Sequence, residues 1–181
     1  DHLNYPLAIT TGPDGNLWVA DAGSHRLVRV TPLGEISSFP VPSTGPLSVV
    51  AGPDGSLWFT YGSAFSTRVG RMSISGEVEF FIDPSNGTPN TFDIAAGADG
   101  NLWFTDAYMG RVGRVTPDGE ITMFTDSLGE FQPLEGQGRL NRPAGITSGP
   151  DGHVWFVLEG SDAIGRLDLG APLSGTVTAE G

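Results

Sequence analysis

Gly97-Ala98-Asp99-Gly100-Asn101-Leu102-Trp103-Phe104-Thr105-Asp106 is one of four similar decapeptides in this 181-residue chain. The others are Gly12-Pro13-Asp14-Gly15-Asn16-Leu17-Trp18-Val19-Ala20-Asp21, Gly52-Pro53-Asp54-Gly55-Ser56-Leu57-Trp58-Phe59-Thr60-Tyr61 and Gly149-Pro150-Asp151-Gly152-His153-Val154-Trp155-Phe156-Val157-Leu158. All four tryptophans of the protein fall in this block, spaced 40, 45 and 52 residues apart (18, 58, 103, 155). A fixed block returning every few tens of residues marks a repeat architecture.

The unit around Trp18 reads as four short strands. Leu7-Ala8-Ile9-Thr10 is apolar and short, and Gly12-Pro13-Asp14-Gly15 is a tight turn. Proline presets one dihedral there, aspartate bonds nearby backbone, and glycine takes a positive φ. Leu17 to Ala20 is a second strand. Arg26-Leu27-Val28-Arg29-Val30 alternates with the period of a strand buried on one face, and Glu35 to Phe39 follows the turn at Thr31-Pro32-Leu33-Gly34. No helical period interrupts this pattern. A four-stranded antiparallel meander of 40–50 residues has the size of a propeller blade. The fold class expected is therefore all-β: a β-propeller with four blades in this chain, at about 1–40, 41–83, 84–125 and 140–181, with a long inter-blade loop at 126–139. Each tryptophan is expected to fill the space between neighbouring blades, lying flat on the glycine of a third strand such as Val112-Gly113-Arg114-Val115. The third-strand arginines Arg29, Arg71, Arg114 and Arg166 are expected to pair with acidic groups.

Glycine (27) and proline (14) are abundant, but they fall at regular places between apolar runs, so they read as turns rather than disorder. The formal net charge is −12, and the nine basic residues are dispersed along the repeats. That argues against nucleic acid, which requires clustered Lys and Arg. No apolar run approaches the roughly 20 residues that span a bilayer. There are no cysteines, so disulfides, thiol catalysis and thiolate metal sites are excluded. The chain does not begin with Met, which suggests a processed or trimmed product. A secreted or periplasmic location is favoured, although composition does not fix the compartment.

In such a meander the inter-blade connections gather at one end with the turns between second and third strands. Length variation concentrates there, above all in Thr125 to Arg142, and long loops on a rigid scaffold commonly carry binding residues. The candidate ligand face comprises Asp21, Tyr61, Phe92, Asp93, Asp106, Tyr108, Phe131 and Glu159. Of these, Asp21, Asp106 and Glu159 are candidate ligands for a hard cation, Mg²⁺ or Ca²⁺, because such ions take carboxylate oxygens; the competing role is to cap their own turns. The three histidines, His2, His25 and His153, are scattered and suggest no metal pair or catalytic triad.

The repeat text, Gly-Pro-Asp-Gly-Asn-Leu-Trp-Phe-Thr-Asp with Arg-Val-Gly-Arg-Val-Thr-Pro-Asp-Gly-Glu-Ile, resembles the virginiamycin B lyase (streptogramin lyase) family over essentially the whole chain. It is similar more distantly to NHL-repeat propellers. The resemblance implies six or seven blades and, in lyase members, a magnesium-assisted elimination that opens the ester-linked ring of type B streptogramin antibiotics. It also implies histidines at the start of innermost strands, in a Pro-His-(Ala/Gly)-Ile pattern, with a glutamate that helps bind the metal. The matching positions here hold Leu7, Leu47, Phe92 and Ala144. In Arg142-Pro143-Ala144-Gly145-Ile146 the frame is intact, and a methyl group stands where the imidazole would be. No general base for proton abstraction remains at these positions.

Four blades leave the question of closure. A strained four-bladed ring, a homodimer joined head to tail into eight blades, and a part of a longer propeller are all open. The expected function is a binding or interaction scaffold, with a small molecule or protein held on the loop-bearing face. The alternative is a divalent-cation-dependent lyase or hydrolase of the family's type, with catalytic residues from a second chain or from other blades.

Overall fold

The computed structural model describes residues 2–42, 44–62, 68–82, 91–124, 142–169 and 177–180. They form sixteen strands in four antiparallel sheets of four. The first sheet holds β1 (Pro6–Thr11), β2 (Leu17–Asp21), β3 (Arg26–Val30) and β4 (Ile36–Pro40). The second holds β5 (Pro46–Ala51), β6 (Leu57–Tyr61), β7 (Arg68–Met72) and β8 (Val78–Ile82). The third holds β9 (Thr91–Ala96), β10 (Leu102–Asp106), β11 (Arg111–Val115) and β12 (Ile121–Phe124). The fourth holds β13 (Pro143–Ser148), β14 (Val154–Leu158), β15 (Ala163–Leu167) and β16 (Val177–Glu180). Within each sheet the strands lie in chain order, and the first strands are neighbours in space: β5 packs against both β1 and β9, and β9 against both β5 and β13. One turn of 3₁₀ helix, Ala22–Ser24, interrupts the β pattern.

The repeated block builds its turn and its core contact with the same carboxylate. Asp14 accepts the Asn16 backbone N–H at 3.2 Å, closing the turn, and the indole N–H of Trp18 at 3.0 Å. Asp54, Asp99 and Asp151 hold Trp58, Trp103 and Trp155 likewise, at 3.0, 3.2 and 3.0 Å. The indole therefore enters the core with its polar edge satisfied, as a buried Trp requires. Trp18, Trp58 and Trp103 are wholly buried. Trp18 packs among Val49, Leu57 and Phe59 of the second sheet, Trp58 among Ile94 and Leu102 of the third, and Trp103 among Ile146 and Phe156 of the fourth. The expectation that tryptophan joins adjacent sheets holds for these three.

The third-strand glycines serve a different ring from the one expected. A Cβ at Gly70, Gly113 or Gly165 would lie 2.2, 2.1 or 2.3 Å from the ring of Phe59, Phe104 or Phe156, the cross-strand partner in each case. The phenylalanine lies flat on the glycine, while each tryptophan lies over the first glycine of its own block, Gly12 for Trp18. The first sheet replaces the Phe–Gly pair with Val19 opposite Val28.

The third-strand arginines combine pairing with stacking. Arg29, Arg71 and Arg166 place their guanidinium groups 5.9, 5.6 and 5.5 Å from the rings of Trp18, Trp58 and Trp155. Arg114 lies over Phe124. Arg71 also meets Asp54 and Glu79 and donates to the Pro117 carbonyl at 2.9 Å, tying the second sheet to a turn of the third. The Nε atoms of Arg29, Arg114 and Arg166 are buried without a hydrogen-bond acceptor among the described residues, consistent with guanidinium held against a ring face.

Candidate functional site

The connections between sheets and the turns after second strands do share one end. Ala22 N–H donates to Tyr5 O at 3.2 Å, and Gly23 N–H to Asn4 O at 2.7 Å. Val41 N–H donates to His25 O at 2.8 Å. A Cβ at Gly45 would fall 1.9 Å from the Ala22 carbonyl oxygen, so this connection lies directly on the 3₁₀ turn.

At this end the starts of the first strands converge. Leu7, Leu47 and Phe92, from three different sheets, line one cavity of about 550 Å³ together with Tyr5, Ser48 and Asp93. Tyr5 and Phe92 leave 70% and 52% of their surface uncovered. Ala144, the fourth position of the set, is buried instead. Threonines of second strands tie down the backbones that carry these side chains, in the next sheet and in their own. Thr105 Oγ1 donates to Ala144 O at 2.7 Å and accepts the Asp93 N–H at 3.2 Å. Thr60 Oγ1 makes a longer bond of 3.5 Å to Phe92 O.

Asp93 sits between sheets. It accepts Ser48 Oγ–H at 2.6 Å from the second sheet, Ile94 N–H at 2.9 Å from its own, and Ile146 N–H at 3.0 Å from the fourth. It also borders a second cavity of about 460 Å³, lined by Gly145, Thr147, Trp155, Val157 and Ile164 of the fourth sheet. The residues following Leu7, Leu47 and Ala144 are small (Ala8, Ser48, Gly145), and this leaves room for the Asp93 carboxylate between the second and fourth sheets. That smallness was the available signal for Ser48 and for the central place of Asp93. Tyr5, which precedes the first strand, had none.

The other candidate residues are dispersed. Asp21 and Asp106 are completely buried. Asp21 accepts Arg26 Nε–H at 2.8 Å and the Asn4 N–H at 2.7 Å. Asp106 accepts Arg111 at 2.8 Å and the Met109 N–H of its own turn at 3.0 Å. Glu159 is exposed and pairs with Arg142 at 3.3 Å. Each carboxylate proposed for a cation thus has its own arginine, and among the described residues no three His, Cys, Asp or Glu side chains come together to hold a metal. Tyr61 is only 2% exposed and packs with Phe59 and Phe80, so it belongs to the core rather than to a ligand face. Tyr108 is exposed. Phe131 and the loop at 126–139 lie outside the described residues. No helix among the described residues is long and apolar enough to cross a membrane.

The model of the virginiamycin B lyase family matches residues 1–178. Among solved structures, the chain is similar to virginiamycin B lyase from Staphylococcus aureus at 30% identity and a TM-score of 0.81. That match covers 97% of this chain and 55% of the lyase. A streptogramin B lyase structure aligns at 29% identity and a TM-score of 0.79, covering 96% of this chain and 53% of that one. A gluconolactonase from Xanthomonas campestris shares the fold at 16% identity, with a TM-score of 0.74 over 99% of this chain and 63% of its own. The chain thus spans little more than half the length of the two lyases. No curated protein matches it in sequence.

Proposed function

Since this chain belongs to the virginiamycin B lyase family, we propose that its four sheets are consecutive blades of a β-propeller and that the propeller is a ligand-binding scaffold. The ligand is a small molecule with apolar surface, held in the axial cavity. One observation carries the reading. Three of the four positions that the family resemblance assigns to catalytic histidines converge, and Leu7, Leu47 and Phe92 make their meeting point a largely apolar cavity of about 550 Å³. That volume suits a small organic ligand, for which pockets of about 300–1,000 Å³ are usual. No imidazole lines it, so proton abstraction lacks its usual base there.

The enzymatic alternative with a divalent cation on Asp21, Asp106 and Glu159 meets carboxylates engaged with Arg26, Arg111 and Arg142, and its other form draws the catalytic residues from a second chain or other blades. These three residues do not fit a metal. The test is incubation of the full chain with a type B streptogramin and Mg²⁺, following ring opening by chromatographic retention. We expect none; measurable turnover would overturn the scaffold reading.

Further blades complete the ring, from a second copy of the chain or from a longer polypeptide. The support is apolar surface on the outer faces of the first and fourth sheets, at Ile9, Leu17, Val157 and Ile164. Light scattering after size exclusion separates the two sources. A mass near twice 18.9 kDa assigns the remaining blades to a second copy, and a mass near 18.9 kDa leaves a closed four-bladed ring or blades of a longer polypeptide.

A further inference from the structure

We propose, building on the ligand-binding reading above, that the axial cavity selects an organic ammonium ion carried on an apolar body. The cavity lining has three chemical parts. Leu7 and Leu47 supply carbon surface, Tyr5 and Phe92 supply largely uncovered aromatic rings, and Asp93 supplies the carboxylate. Aromatic faces beside a carboxylate form the composition that attracts an ammonium group, through ring quadrupole and charge together.

Asp93 is built for a fixed role. Three donors from three sheets, Ser48 Oγ, Ile94 N and Ile146 N, hold its carboxylate at 2.6, 2.9 and 3.0 Å. A carboxylate has about four lone-pair sites, so the three donors leave one acceptor position on a side chain that lines the cavity. No arginine, lysine or histidine forms an ion pair with Asp93 among the described residues, whereas Asp21, Asp106, Glu79 and Glu159 each have an arginine. Asp93 therefore has no internal cation among the described residues and can pair with one carried by a ligand.

Other ligand classes fit less well. Mg²⁺ and Ca²⁺ require six or more oxygens in most sites, and the side chains here offer Asp93, a Ser48 hydroxyl already committed to Asp93, and the phenol of Tyr5. An anion would meet the carboxylate with no basic side chain to receive it. A sugar would find only the Asp93 carboxylate, the Ser48 hydroxyl committed to it and the Tyr5 phenol among the lining side chains.

The test uses the full chain and three probes of one shape: 2-phenylethylammonium, 2-phenylethanol and phenylacetate, titrated calorimetrically. The expected order is ammonium, then alcohol, then carboxylate, with the ammonium about ten-fold tighter than the alcohol. Asp93→Asn keeps the shape and an acceptor oxygen, and it should bring the ammonium to the alcohol's affinity. Glu77→Gln removes one charge at an exposed turn and should leave the preference intact, separating Asp93 from the general attraction of a −12 chain. Phe92→Leu should weaken the ammonium about three-fold more than the alcohol. It reads the ring's part independently, should Asp93→Asn fail to fold. Equal binding of ammonium and alcohol would overturn the ammonium assignment and leave the apolar-ligand reading standing. Failure of all three probes to bind would overturn both.

Discussion

The middle and the ends of the sheet array carry nearly the same sequence and have different surroundings. Val49, Ile94 and Ile146 are 5, 4 and 7% exposed, while Ile9, at the same place in the repeat, is 63% exposed. Leu57, Leu102 and Val154 are fully buried, and their counterpart Leu17 is 43% exposed. The fourth sheet shows the mirror case on its other face. Leu27, Val69 and Val112 are fully buried, whereas Ile164 is half exposed. A block of repeat text thus specifies two contact faces, and only neighbours on both sides bury both. The residues are chosen for an interface, not for a sheet standing alone.

The sharpest way to break this comparison is to truncate equivalent tryptophans. Trp58→Ala should lower unfolding free energy by about 3–5 kcal/mol, as large-to-small changes in a packed core do. Trp155→Ala should cost only about 1–2 kcal/mol, because part of the ring is already hydrated. Urea unfolding followed by circular dichroism reads both. Equal costs would mean that the fourth sheet's outer face is covered in solution.

A second experiment exchanges one kind of pair for the other. Gly113→Val drives a side chain into the Phe104 ring and should cost about 1–3 kcal/mol. Adding Phe104→Val recreates the Val19–Val28 arrangement of the first sheet, and most of that loss should return. Thermal unfolding of the single and double variants gives the coupling. Simple additivity would show that ring and glycine are not a unit.

A smaller effect is expected from the aspartate under the tryptophan. Asp99→Ala removes the acceptor for the Trp103 indole and the Asn101 N–H, and should cost about 1–2 kcal/mol in denaturant unfolding. Asp151→Ala should cost less, since water reaches the Trp155 site.

The smallest effect is on acid stability. Burial pulls the Asp14 carboxyl upward, but hydrogen bonds from Asn16 and Trp18 outweigh it and hold the group below its ordinary 3.8. The unfolded chain then binds the proton more readily than the folded one. This stabilisation is complete above the ordinary value and is lost as pH falls through the lowered one. The melting temperature should drop as pH falls below about 4, and Asp14→Asn should flatten that slope.

The fold was largely legible because its signals are local. Pro-Asp-Gly turns, alternating strands and a fixed tryptophan are each decided within a few residues, so sixteen strands could be placed from the repeat. Partners across sheets were harder. The sequence shows Gly113 and Trp103 in adjoining strands of one repeat, but register decides that Phe104, not Trp103, lies on the glycine. The site was legible only in part. Leu7, Leu47 and Phe92 were aligned by repeat position, and their convergence follows from the array. The partners of Asp93 lie 45 and 53 residues away, at Ser48 and Ile146, and no short-range pattern joins them. Asp21 and Asp106 looked like ligands because their arginines, five residues on, read as part of the next strand.

Trp155 also makes the end of the array optically visible. Three of the four indoles are sealed, while the fourth sits beneath Arg166 at the rim of an open cavity. Its emission should lie to the red of the others, and acrylamide should quench it first. Whatever comes to rest on that face, another blade or another chain, will shift and shield this single fluorophore. Covering of that face therefore reports itself without a label.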